Sequence, residues 1–229
     1  MTDNSPQELE CGKPKKLKNT ATSRGTGNTP QAARTNALKT ADEDATHDAL
    51  YEAAKYECPS ECPAMRLDLE LSKPVVTDIT VDPQDELHTA IATCDWSCTI
   101  SCRDHKLEAT DKPGQGQELY CTDGAVIVAR GTATGKGKGA VLGIPPPPDA
   151  VAKAEAAALA DAVAKLILEL SISVKLAVAD VRCPDGCPNK KIQIWLGPVG
   201  KPQTTAPDAN DEVHCTITRR YQVRVECVK

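Results

Sequence analysis

The hexapeptide Cys58-Pro-Ser-Glu-Cys62-Pro recurs as Cys183-Pro-Asp-Gly-Cys187-Pro, and each motif is followed 40 residues beyond its second cysteine by a further cysteine, Cys102 and Cys227. Sliding the chain by 125 residues places Leu67, Leu69 and Leu71 on Ile192, Ile194 and Leu196, and Trp96 and Ile100 on Tyr221 and Val225. Upstream, with gaps, Thr20–Gly27 matches Thr132–Gly139, and Cys11 and Cys121 fall in roughly equivalent places. A fixed-period match of this kind is the mark of an internal repeat. The spacing predicts a tandem duplication: a flexible basic N-terminal tail over 1–16, a first repeat over 17–110 and a second over 111–229. The boundary is expected in the turn-rich stretch Asp111-Lys112-Pro113-Gly114-Gln115-Gly116.

Within each repeat the patterns predict an α+β unit of strand, helix, Cys-Pro turn and antiparallel strands, with each helix packed on one sheet face. Thr29-Pro30 reads as cap and first turn of a helix continuing through Ala33, Ala37 and Ala41 towards Ala54. The second helix follows a stiff Pro145–Pro148 lead-in with Asp149 as its cap. Its buried face is expected to carry Val151, Leu159, Ala162, Val163, Leu166, Ile167 and Leu170, opposite Lys153, Asp161, Lys165 and Glu169. Met65, Leu67, Leu69 and Leu71 alternate with polar residues, as do the even-numbered residues Ala92–Cys102 and Cys215, Ile217, Tyr221, Val223, Val225 and Cys227. That is the period of half-buried strands. Further strands are expected at 75–81, 125–134 and 172–181.

The 11 cysteines carry most of the chemistry. Cys94, Cys98 and Cys102 look like a ligand cluster, but four strand residues span about 13 Å, too far for neighbouring thiolates to share one zinc. Cys98 also falls on Val223 of the second repeat, so Cys94, Cys98 and Cys215 read as small apolar core residues. The duplicated set is different. Cys11, Cys58, Cys62 and Cys102, answering to Cys121, Cys183, Cys187 and Cys227, allow two disulfides per repeat or one four-thiolate zinc site per repeat. Reduced core thiols are the third option.

Other chemistry is thin. Six large aromatic rings, two Trp and four Tyr with no Phe, argue against a base-stacking nucleic-acid platform. The net charge of −5 gives no general pull towards polyanions. Residues 1–40 hold seven Lys/Arg against three Asp/Glu, a local excess read as keeping a terminus soluble. Gly131–Gly139 fails the phosphate-loop pattern in spacing and in its last residue and reads as a basic hairpin tip or strand-to-helix loop. His47, His88, His105 and His214 have no zinc-enzyme spacing, and adjacent His214 and Cys215 point to opposite faces of a strand. Asp82, Asp85, Glu86, Asp208, Asp211 and Glu212 read as solvated turn charges.

No apolar leader or membrane-spanning run is present, so the default expectation is a soluble cytoplasmic protein, with export by a non-classical route left open. The leading function is a non-enzymatic, self-associating structural or assembly protein stabilised by disulfides, with exposed strand edges as the joining surface. One alternative is a zinc-binding module with one four-cysteine site per repeat; a weaker one is a thiol redox protein using the Cys-Pro-x-x-Cys-Pro turn.

Overall fold

A computed structural model describes residues 6–81, 87–107, 118–142, 147–179, 181–187 and 189–229. The boundary turn at 111–116, part of the polyproline lead-in, and Asp82, Asp85 and Glu86 lie outside these residues.

The elements in chain order are β1 (Gln7–Glu8), β2 (Lys15–Gly27), α1 (Pro30–Ala53), β3 (Tyr56–Glu57), β4 (Ala64–Leu71), β5 (Val75–Val81), β6 (His88–Arg103), β7 (Val126–Ala140), α2 (Ala150–Ala179), β8 (Asn189–Val199), β9 (Gln203–Thr204) and β10 (Glu212–Val228). The protein is mixed α+β. One antiparallel sheet runs β2-β6-β4-β8-β10-β7, with β5 extending β4's side of β6 and β9 pairing with β10. At its centre β4 and β8 pair with Asp68 opposite Gln193. Within the stretch expected as a flexible tail, Gln7–Glu8 pair in parallel with β3 and Cys11 is cross-linked.

Both helices lie on the same face of this one sheet, α1 over β2 and β6, α2 over β7 and β10, and they touch each other. A Lys175–Glu43 ion pair joins them. Each helix packs on one sheet face, as expected, but on one shared sheet: β4 and β8 pair where two edges would otherwise lie, and burying both edges removes a liability.

Alanine dictates how closely the helices approach. In α1 every fourth residue, Ala33, Ala37, Ala41, Ala45, Ala49 and Ala53, is buried; in α2 the ridge is Ala150, Ala154, Ala158 and Ala162, continued by Leu166, Leu170 and Val174. Rows of i, i+4 side chains are inclined to the helix axis, so such a ridge seats diagonally on the strands. Opposite it the strands carry glycine. A Cβ on Gly135, Gly137 or Gly139 would lie 1.9–2.0 Å from the carbonyl oxygens of Ala162, Ala158 and Ala154, and one on Gly25 would lie 2.0 Å from the Ala37 nitrogen. Gly131–Gly139 is therefore not a loop but part of β7, with Gly135, Gly137 and Gly139 required by close backbone approach.

Three further expectations change. Residues 172–179, expected as strand, continue α2. Val151 and Leu159 are exposed on α2, because the alanine ridge, not the larger residues, faces the sheet. Arg219, passed over in the inward set of the last strand, is buried at 8% exposure, while Tyr221 is half-exposed. The α1 cap is as expected: Thr29 Oγ1 accepts from the Ala32 N–H at 3.1 Å.

Candidate functional site: four disulfides at the ends of the sheet

The eight singled-out cysteines form four disulfides: Cys11–Cys62, Cys58–Cys102, Cys121–Cys187 and Cys183–Cys227. Each Cys-Pro turn is thus bonded twice, once to the segment leading into the sheet and once to the end of a long strand, β6 or β10. The turns themselves are set by local hydrogen bonds. Cys62 N–H donates to Pro59 O at 3.1 Å and Cys187 N–H to Pro184 O at 3.0 Å. The incoming segments dock alike: Leu9 N–H donates to Glu57 O at 2.9 Å, Leu119 N–H to Arg182 O at 3.1 Å. In both cases the disulfide cysteine lies two residues further on. Cys62, Cys102, Cys187 and Cys227 are buried, while their partners Cys11 and Cys121 are exposed and Cys58 and Cys183 half-buried.

Bonded in this way, the sulfurs offer no thiolate to a metal, and the two cysteines of each turn are not partners of one another, as a redox dithiol would require. The remaining thiols, Cys94, Cys98 and Cys215, are free and buried. Burial pushes all three thiols up, Cys98 to about 12 with Asp68 adding to the effect, and Cys94 further through the nearby Asp42 charge. The Cys94 thiol donates to Ser72 O at 3.3 Å. A raised thiol is the opposite of an activated nucleophile.

Elsewhere the structure gathers Asp208, Glu212 and His214, with candidate ligand atoms all within 4.8 Å. These groups already answer one another. His214 Nε2 meets Asp208 Oδ2 at 3.1 Å, the Asn210 and Glu212 N–H groups donate to Asp208 Oδ1, and Lys138 Nζ donates to Glu212. They close the turn into β10. His214 and Cys215 are separated as expected, Cys215 buried and His214 half-exposed.

Sequence reasoning missed Trp195. On β8 it points away from the helices, between the core residues Ile194 and Leu196, yet it is only 8% exposed. His105 tilts against it at 4.5 Å between ring centroids, and the Arg66 guanidinium sits 5.6 Å from its ring. The segment after β6 therefore crosses the outer sheet face. A lone large ring in a chain with few of them was the available signal.

Four intramolecular disulfides point to an oxidising, extracellular or secreted environment, because cytosolic thiol reductants keep such cysteines reduced. The expectation of a cytoplasmic location is overturned on this ground. Fold and cross-links together define a disulfide-stabilised, cysteine-rich α+β protein. No protein family, curated protein or solved structure matches the chain. None of its helices is long and apolar enough, among the described residues, to cross a membrane.

Proposed function

We propose that the chain is a non-enzymatic structural protein of an oxidising compartment, built from two copies of one disulfide-clamped unit and able to self-associate. The observation that carries this reading is the matched connectivity of the cross-links. Cys11–Cys62 with Cys58–Cys102, and Cys121–Cys187 with Cys183–Cys227, tie the same turn to the same two neighbours. The strand order supports it, since β2-β6-β4 is answered from the other edge by β7-β10-β8. So does the central register, in which Asp68 faces Gln193, the residue 125 positions on. Chemistry is subordinate in such a molecule: the bonded sulfurs are structural and the free thiols are buried in the core. A zinc reading of the same eight residues is not carried forward, because each sulfur is already bonded to another.

The test is persistence. The oxidised protein is expected to keep its near-ultraviolet circular dichroism and resist protease under conditions where phosphine-reduced protein has lost both. Equal resistance in the two states contradicts the proposal.

A further inference from the structure

The four cross-links divide the chain into two halves. Cys11–Cys62 and Cys58–Cys102 lie wholly within residues up to Arg103, and Cys121–Cys187 and Cys183–Cys227 wholly beyond Glu118. The strands divide the same way: β2, β6, β4 and β5 pair among themselves, as do β7, β10, β8 and β9, and each helix packs on strands of its own half. Among the described residues one strand pairing crosses between the halves, Met65–Leu69 of β4 against Ile192–Leu196 of β8. Side-chain contacts add to it at Lys175–Glu43, Arg219–Met65 and Arg66–Trp195. The chain passes from one half to the other once, between Arg103 and Val126.

This joint is apolar and does not stand open. Met65, Leu67 and Leu69, and facing them Ile192, Ile194 and Leu196, are all buried. Before the halves meet, each therefore presents an unpaired apolar strand edge, a template for pairing with any matching strand. The outermost strands are the opposite case. On β7 the N–H groups of Thr134 and Lys138 donate to Glu169 Oε2 at 2.9 Å and Asp161 Oδ2 at 3.0 Å, two carboxylates reaching over from α2. On β2 the Asn36 side chain donates to Thr26 O at 2.8 Å. An incoming strand has to displace these groups, so the β2 and β7 edges are guarded. The strand that fits a β4 edge is a β8 edge.

We infer that copies of this chain associate by exchanging this joint: β4 of one copy pairs with β8 of a second, and β4 of the second with β8 of the first. Each contact in the exchanged dimer is one the single chain already makes, so no new surface has to be complementary. Exchange of matching elements between copies is a low-cost route to a dimer, and it is decided while folded halves have yet to dock. The disulfides do not oppose it, because each closes within one half. Proximity alone favours a chain's own β8. A short connection holds two such edges at an effective concentration of about 1 mM, so exchange competes as the chain itself approaches that concentration.

The inference rests on the self-associating reading above, and the two fail differently. The full chain is unfolded in urea with its disulfides intact, at about pH 5 so that the free thiols do not exchange. It is then refolded over a concentration series and read by sedimentation. Dimer is expected in about half of the chains at about 1 mM and in about one in a hundred at about 10 μM. Once formed it is expected to persist for hours after dilution, because parting requires both joints to open. Asp68→Cys with Gln193→Cys reads the pairing itself. These positions are directly opposite, about 5 Å apart at Cα and within disulfide reach. Oxidised after refolding, the dimer of this variant is expected to run as a covalent dimer on a non-reducing denaturing gel, since no native cross-link joins two halves. A dimer whose new link forms only within each chain, or one that falls apart at once on dilution, overturns the exchange and leaves self-association standing. A chain that is monomeric at every concentration overturns both readings.

Discussion

Gly137 on β7 lies against Ala158 on α2 so closely that a Cβ would sit 2.0 Å from the Ala158 carbonyl oxygen. No rotamer change relieves such a clash, because the obstacle is helix backbone. The helix itself would have to lift, opening space along the ridge from Ala154 to Ala162. Gly137→Ala is therefore expected to lose about 2–3 kcal/mol of stability, in the range of overpacked cores. Gly186→Ala, whose new methyl meets only Cys121 Sγ at 3.8 Å, is expected to change stability by less than about 0.5 kcal/mol. Urea unfolding of the two variants checks the contrast; equal losses would mean the close contact is not rigid.

The cross-links make a quantitative prediction. Cys58–Cys102 and Cys183–Cys227 each span 44 residues. In the chain-entropy account, opening a loop of this size loses about 4 kcal/mol. Cys58→Ala with Cys102→Ala, and Cys183→Ala with Cys227→Ala, are expected to destabilise by similar amounts near that figure. Equilibrium denaturation measures both, and a difference of several kcal/mol would show that the two clamps do unequal jobs.

The strands were largely legible in the sequence, because alternation in β4, β6 and β10 is enforced by a sheet with one buried face. The error at 172–181 has a physical source. Ile172, Val174 and Val178 favour strand locally, but Leu166, Leu170 and Val174 continue the buried ridge of α2, and packing overrides propensity. The glycines of β7 looked like a flexible loop because their partner is remote. Only Ala154, Ala158 and Ala162, spaced by four, hinted that a helix backbone would press on them. The cysteine pairing was legible as a set but not as bonds, since spacing alone admits several connectivities. The compartment was misread from the lack of an apolar leader, whereas the eleven cysteines, which resolve into four disulfides and three core thiols, pointed the other way.

Arg219 is buried with its Nε donating to Gly197 O at 2.8 Å and its Nη2 4.0 Å from Met65 Sδ. Burial pulls its guanidinium down to about 10, with Glu57 acting the other way. Arg219→Ala removes the guanidinium donor to the Gly197 carbonyl and leaves a void beside Met65, an expected loss of about 2–4 kcal/mol. Arg219→Met fills the void and removes a buried charge, so its loss is expected to be smaller. Thermal denaturation gives the order; a larger loss for methionine would show that the charge itself is stabilising.

Asp208 supplies a pH signature. His214, then the Glu212 and Asn210 N–H groups, hold its carboxyl down to about 2 from an ordinary 3.8. A depressed folded-state value means the contribution is present above about pH 4 and is lost as pH falls through 3.8 towards 2. In Asp208→Asn that contribution is missing at every pH. The melting-temperature gap between wild type and variant is expected to close over this acid window, and a gap constant from pH 5 to pH 2 would contradict the assignment.

The account depends most on which sulfurs are joined. Peptide mapping by mass spectrometry, after alkylation of the denatured but unreduced protein, reads this directly. The expected result is four links, Cys11–Cys62, Cys58–Cys102, Cys121–Cys187 and Cys183–Cys227, with label on Cys94, Cys98 and Cys215 alone. A Cys58–Cys62 or Cys183–Cys187 link, or label on all eleven cysteines, would contradict it.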